Sequence, residues 1–83
     1  MYELDFDIEA IEFLETLPKH LKERIFNKIV SSKENPFHFF ARLEGRPGYK
    51  MRIGDYRAIA DIFPELNKIK VVKIGHRKNI YDK

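Results

Sequence analysis

Residues 49–57, Tyr-Lys-Met-Arg-Ile-Gly-Asp-Tyr-Arg, decide how the C-terminal half of this chain folds. Apolar and basic side chains alternate up to Gly54-Asp55, the spacing of a strand with one buried face, and a second strand begins at Tyr56-Arg57. Gly-Asp between two such runs predicts a tight hairpin, because the connection needs positive φ angles that these residues supply. The turn then fixes the register. Ile53 faces Tyr56, Arg52 faces Arg57, and Lys50 falls on the same side as the two arginines. Three cations on one face, two of them directly opposite, destabilise a sheet by themselves. The arrangement points to a bound anion. Phosphate is the leading candidate, since guanidinium and ammonium groups suit it.

Working outward from the hairpin, the second strand runs on to Phe63, and Pro64-Glu65-Leu66-Asn67 reads as a turn before a strand over Lys68–Gly75. Pairing Phe63 with Ile69 puts Ala58, Ala60, Ile62, Val72 and Ile74 on one face with Tyr49, Met51 and Ile53. Lys50, Arg52, Arg57, Lys73 and Arg77 then share the other. Ahead of the hairpin, Gly45-Arg46-Pro47-Gly48 is a loop and Phe39–Leu43 a short extended segment. Further upstream the period changes. Tyr2–Phe6 alternates as a first strand, and Asp7 caps a helix from Ile8 to Leu17 whose buried stripe is Ile8, Ile11, Phe13 and Leu14. Pro18 opens a second helix over Lys19–Ser32, with Leu21, Ile25, Phe26, Ile29 and Val30 at helical spacing, and Lys33–Pro36 is the loop after it. The expected fold is α+β: a short N-terminal strand, a helical hairpin, then a mainly antiparallel sheet of about four strands packed on the helices. The chain's 83 residues form one domain with one modest core.

Composition excludes several classes of function. With no cysteine there is no disulfide and no thiolate metal site, and a reducing cytoplasm suits the chain. No apolar run approaches the roughly 18 residues of a membrane span, and the N-terminus lacks a signal-peptide pattern. His20, His38 and His76 are too far apart to suggest a metal site, and no cofactor motif is present. The net charge of +3 is unevenly spread. Residues 1–17 carry six acids and no Lys or Arg, so all 16 basic residues lie in 18–83 against seven acids, a local balance of +9. A polyanionic partner for the basic part follows. The seven phenylalanines are assigned to the core or to a partner surface rather than to base stacking.

The tail, Gly75-His76-Arg77-Lys78-Asn79-Ile80-Tyr81, adds an imidazole, a guanidinium and a phenol beside the basic sheet. Cleavage of RNA without a metal needs few parts. A base takes the proton of the 2′-hydroxyl, cations stabilise the phosphate charge, and an acid protonates the departing 5′ oxygen. The ribose supplies the nucleophile, so such a site cuts RNA and spares DNA. Neighbouring cations favour the phenolate of Tyr81 and so improve it as a base. The sequence leaves open whether Tyr81, His76 or a water takes the proton.

The run from Ala41 to Ile62, with Leu43 and Gly45 ahead of an Arg52-x-Gly54-x-Tyr56-Arg57 hairpin, followed by Gly75-His76-Arg77 and Tyr81, resembles the RelE/ParE superfamily of toxins, most of all the RelE branch of type II toxin–antitoxin systems. The likeness extends over essentially the whole chain. It implies a RelE-like toxin domain over residues 1–83 that acts in the cytoplasm. It implies an endoribonuclease that cuts mRNA in the ribosomal A site, without cofactor or metal, and that a cognate RelB-like antitoxin silences in a heteromeric complex. It also implies residue roles. Lys50 and Arg52 match paired basic residues that neutralise the scissile region, and Arg57 a phosphate-binding arginine. Arg77 matches an arginine that stabilises the transition state or protonates the leaving group, and Tyr81 a proposed general base. Arg52 stands where the branch often has lysine, which keeps the charge but donates protons less readily. His76 is a second acid/base candidate, and Lys73 adds to the phosphate-binding face. The two residues after Tyr81 leave no room for the C-terminal helix of some relatives. Two other readings share the fold: a ParE-like toxin that poisons DNA gyrase without being an enzyme, and a weakened toxin that serves as a transcriptional co-repressor with its antitoxin.

Overall fold

The computed structural model describes residues 1–80. Along the chain it forms β1 (Glu3–Phe6), α1 (Ile8–Glu15), α2 (Lys19–Ser31), a one-turn α3 (Pro36–Phe39), β2 (Ala41–Arg42), β3 (Tyr49–Ile53), β4 (Tyr56–Phe63) and β5 (Lys68–His76). The breaks fall at residues that enforce them. Asp7 is extended and its carboxylate accepts from the Ile8 amide at 3.0 Å, which starts α1. Pro18 cannot continue α1, and its carbonyl accepts from the Leu21 and Lys22 amides to start α2. Gly54 has φ +59 and Asp55 has a negative φ, so one positive angle closes the β3–β4 turn where two were expected. Glycine at the first central position suits a type II′ turn. Asn67, at φ 52, turns the chain from a 3₁₀ turn (Pro64–Leu66) into β5.

The sheet has five strands in the order β1-β5-β4-β3-β2. β1 runs parallel to β5, and every other pair is antiparallel. The α+β architecture expected from the sequence is therefore present, with five strands instead of about four because β1 joins the edge through the helical hairpin's crossover. Ile53 lies opposite Tyr56 and Arg52 opposite Arg57, as the turn requires. The β4–β5 register differs from expectation. It holds from Tyr56↔His76 to Ile59↔Lys73, but then shifts by one, so that Ile62 and not Phe63 faces Ile69. A bulge at Val72 is the cause. The apolar residues of β5 fall on odd positions early (Ile69, Val71) and on an even one late (Ile74), and one extra residue brings both sets to the same face. Val72, expected in the core, is half-buried, while Ile69 and Val71 are fully buried.

Both helices pack on that face. Ala10 and Leu14 of α1 and Ile25 and Ile29 of α2 meet Met51, Ala58, Ala60, Ile69, Val71 and Ile74. Phe13 tilts onto Tyr56, and Phe6 stacks on Phe26 at 5.7 Å between ring centres. The buried side of α1 is rotated from the expected stripe: Ile8 is 68% exposed and Ile11 42%. α1 and α2 also end earlier than expected, since the amides of Thr16 and Ser32 close their last turns. Residues 36–39, read as loop and strand, make α3 instead. Pro36 fits its first turn and is buried beneath it, so extended structure is confined to Ala41 and Arg42. No helix among the described residues is long and apolar enough to cross a membrane.

Candidate functional site

The face of the sheet opposite α1 and α2 has its charge polarised along the strands. At the β1 end, Glu3 faces Lys68, and Lys70 lies between Asp5 and Asp61. Lys68 Nζ is 3.6 Å from Asp5 Oδ2. The lysines there are each paired with acids. At the hairpin end two rows cross the sheet, Ala41–Lys50–Ile59–Lys73 and Arg52–Arg57–Gly75, and neither contains an acid.

Lys50, Arg52 and Arg57 surround one open cavity of about 260 Å³, which Phe39 and Ala41 complete. Arg52 is exposed, whereas Arg57 is half-buried and held. Its Nη1 donates to the carbonyls of Gly54 (3.1 Å) and Tyr56 (3.0 Å). Those acceptors fix the guanidinium before any ligand arrives, and they offset part of the repulsion from Arg52. Cations so placed can grip the non-bridging oxygens of a phosphate.

The other residues expected at the site are distributed around this centre. Lys73 shares the face but stands two strands from Lys50, roughly 10 Å away, with Ile59 between them. It lines a separate cavity with Glu9 and Glu12 of α1, so it does not join the three-cation cluster. His76 follows Gly75 and therefore projects to the helix side, its ring edge-on to Tyr56 at 5.5 Å. Its Nδ1 accepts from the Lys78 amide at 3.2 Å, which leaves Nε2 to carry the proton in the neutral ring. Arg77 returns to the hairpin tip. Its amide donates to the Asp55 carbonyl at 2.8 Å, and its Nε lies 3.9 Å from Asp55 Oδ1. Tyr81 lies outside the described residues. The last described residue, Ile80, is buried over Gly75, the neighbour of Arg57 across the sheet. A Cβ at position 75 would come to 3.0 Å from Ile80 Cδ1, so any side chain there crowds this closure and Ile80 must give way.

Two contributions were not foreseen. Arg24 of α2 lays its guanidinium against Gly54, where a Cβ would stand 3.4 Å from Nη2, and so adds a cation at the hairpin tip. Phe39, expected in the core or on a partner surface, packs against the core and in addition walls the cavity of the three cations. Neither residue has a local signal. The one clue is Ala41, which shares the two-residue period with Phe39 and pairs with Lys50.

The family model for the ParE toxin of the type II toxin–antitoxin system parDE matches residues 4–81. The fold is similar to a chain of the RelBE2 toxin–antitoxin complex of Mycobacterium tuberculosis, with a TM-score of 0.83 over 92% of this chain and 98% of that one, at 22% identity. It is similar to the isolated Escherichia coli RelE toxin, with a TM-score of 0.76 over 92% of this chain and 84% of that one, at 27% identity. A chain of the archaeal RelE–RelB complex of Pyrococcus horikoshii gives 0.79 over 94% and 97%, at 26% identity. Among curated protein sequences, none matches. A family match from the first strand to the C-terminal tail, on a fold shared with RelE, means that this chain belongs to the RelE/ParE superfamily, as a toxin of a type II toxin–antitoxin system.

Proposed function

We propose that this chain is an endoribonuclease that cuts mRNA in the ribosomal A site. The observation that carries the reading is the convergence of Lys50, Arg52 and Arg57 on one cavity of the sheet face opposite α1 and α2. A toxin that worked only by docking on a protein would have no need of it. In the proposed reaction the 2′-oxygen attacks the adjacent phosphorus, a 2′-O–P bond forms and the P–O5′ bond breaks, leaving a cyclic phosphate and a free 5′-hydroxyl. Arg52 and Arg57 hold the non-bridging oxygens as charge builds, with Lys50 beside them. Arg77 stabilises the departing oxygen or protonates it. Tyr81, next to the anchored Ile80, takes the 2′ proton. His76, turned to the helix side, is assigned a supporting role at the strand end, and Lys73 an outer electrostatic one. The ribosome supplies substrate orientation, so free RNA is a poor substrate.

The proposed partner is a RelB-like antitoxin in a heteromeric complex, as in the RelB–RelE complexes of the structural relatives. A groove of about 360 Å³ between α1 and α2, floored by Phe6, Ile11, Leu14 and Phe26, offers apolar surface for one of its amphipathic segments. We read residues 1–83 as one toxin domain that acts in the cytoplasm. The family description favours a second reading, a ParE-like toxin that poisons gyrase. A co-repressor role is compatible with either.

The deciding experiment is primer extension on a defined mRNA with and without translating ribosomes. Cuts within the A-site codon that require ribosomes are expected, and Arg77→Ala and Tyr81→Phe should each remove most of them. Lys19→Ala should be silent, since Lys19 is exposed and its ion pair with Glu23, at 3.9 Å, lies at the surface. No cuts from folded, antitoxin-free protein would reject the nuclease, and inhibition of supercoiling would then support the gyrase reading.

A further inference from the structure

The chain handles two adjacent phenylalanines differently. Phe40 is 5% exposed in the core, whereas Phe39 is half-buried, packs against the core and also walls the cavity of Lys50, Arg52 and Arg57. The ring is held before any ligand arrives. Pro36 and Phe40 are both buried, the Phe40 amide bonds to the Pro36 carbonyl at 2.8 Å, and His38 sits edge-on to Phe39 at 5.4 Å. Ala41, in register with Lys50, is small enough to leave the space beside the ring open. An anion alone would use the cationic side of the cavity and leave its aromatic wall unused. A ligand that joins a phosphate to a flat, polarisable ring satisfies both, and that chemistry is a nucleotide.

We infer that Phe39 is the stacking platform for a nucleobase flanking the phosphate held by Lys50, Arg52 and Arg57. The inference rests on reading the cationic face as an RNA site. It adds a subsite that contacts a base, where the cations contact only the backbone. Stacking on one aromatic ring tolerates any base, so Phe39 adds affinity and registers the strand without selecting a sequence.

Binding can be read without cleavage. The probe is a trideoxynucleotide, which cannot be cut because it lacks the 2′-hydroxyl, compared with its abasic counterpart by titration against the purified chain. Wild type should prefer the base-bearing probe by about tenfold. Phe39→Leu keeps apolar volume but has no π-face, and it should abolish that preference, with Phe39→Trp restoring it. Arg52→Ala should weaken both probes equally. No preference in wild type, or the same preference in Phe39→Leu with its thermal unfolding unchanged, overturns the inference. If Phe39→Leu weakens only antitoxin binding, the residue belongs to a protein interface and the inference also fails. A chain that prefers the base-bearing probe through Phe39 yet never cuts mRNA would reject the nuclease and keep the platform. A chain that cuts mRNA but shows no preference would do the reverse.

Discussion

Arg52 and Arg57 stand directly opposite each other in neighbouring strands, a placement that costs stability. Two backbone carbonyls compensate Arg57 in part, but Arg52 has no such support among the described residues. Arg52→Ala should therefore raise or leave unchanged the melting temperature, since relief of a cross-strand repulsion is worth about 0.2–1 kcal/mol. The same variant should lose cleavage by about 100-fold or more, the usual cost of one preorganised group that stabilises transition-state charge. A scan of thermal unfolding beside a cleavage time course tests both. Activity lost together with stability would mean that Arg52 serves the fold. The opposition of Arg52 and Arg57 was legible in the sequence because a two-residue turn leaves the register no freedom. The place of Phe39 at the cavity was not. In a run with three phenylalanines, local period cannot say which ring is fully buried, and the burial of Pro36 and Phe40 leaves Phe39 half-buried between core and cavity. Arg24 was equally hidden, because it reaches Gly54 only through the packing of α2 on the sheet.

At the scale of elements, β5 serves two masters. Its first half completes the core beside β1, and its second half aligns Gly75 with Arg57. The bulge at Val72 reconciles them. Alternating apolar residues announced the strand, but the change of parity between Val71 and Ile74 announces a bulge only once both are known to be buried. The helices were legible in position through Asp7 and Pro18. The stripe of α1 was not, because Ile8 and Ile11 remain at the surface while Ala10 goes inside. Gly75 gives the element its sharpest test. Gly75→Val should expel Ile80, which is 4% exposed, and forfeit about 2–3 kcal/mol of burial. Cleavage should fall with it, since the displaced turn carries Arg77, while a Gly45→Ala control meets open space and only its positive φ. Denaturant titration and cleavage of both variants provide the check; normal activity in Gly75→Val would dissociate the tail from the site.

Taken as a whole, the molecule keeps its stabilising and its cationic surfaces on opposite sides of one sheet. The core draws on the helix side alone. The ion pairs among the described residues involve side chains at least 36% exposed, so each contributes little. Salt should separate the two sides. Raising the ionic strength from about 50 to 200 mM should leave the denaturation midpoint nearly unchanged, because apolar burial is not screened. Affinity for a short oligonucleotide should drop steeply over the same range, as released counterions require. Equal sensitivity of folding and binding would contradict this division of labour. The charge excess of the C-terminal part was visible in composition. Its cluster at the hairpin was visible in the alternation of residues 49–57, but the neutralisation of Lys68 and Lys70 was not, because the acids beside them come from β1 and β4.

The cationic face has an implication for inheritance. A lineage in which such a chain lost its toxicity would not have to lose the protein. On the nuclease reading proposed above, substitutions at Lys50, Arg52 or Arg57 would disarm the surface without touching a residue of the hydrophobic core. The disarmed chain would still fold and keep the apolar groove between α1 and α2, the surface proposed for its antitoxin. Selection could thus discard the weapon and retain the handle, and a harmless descendant would persist as a decoy for antitoxin.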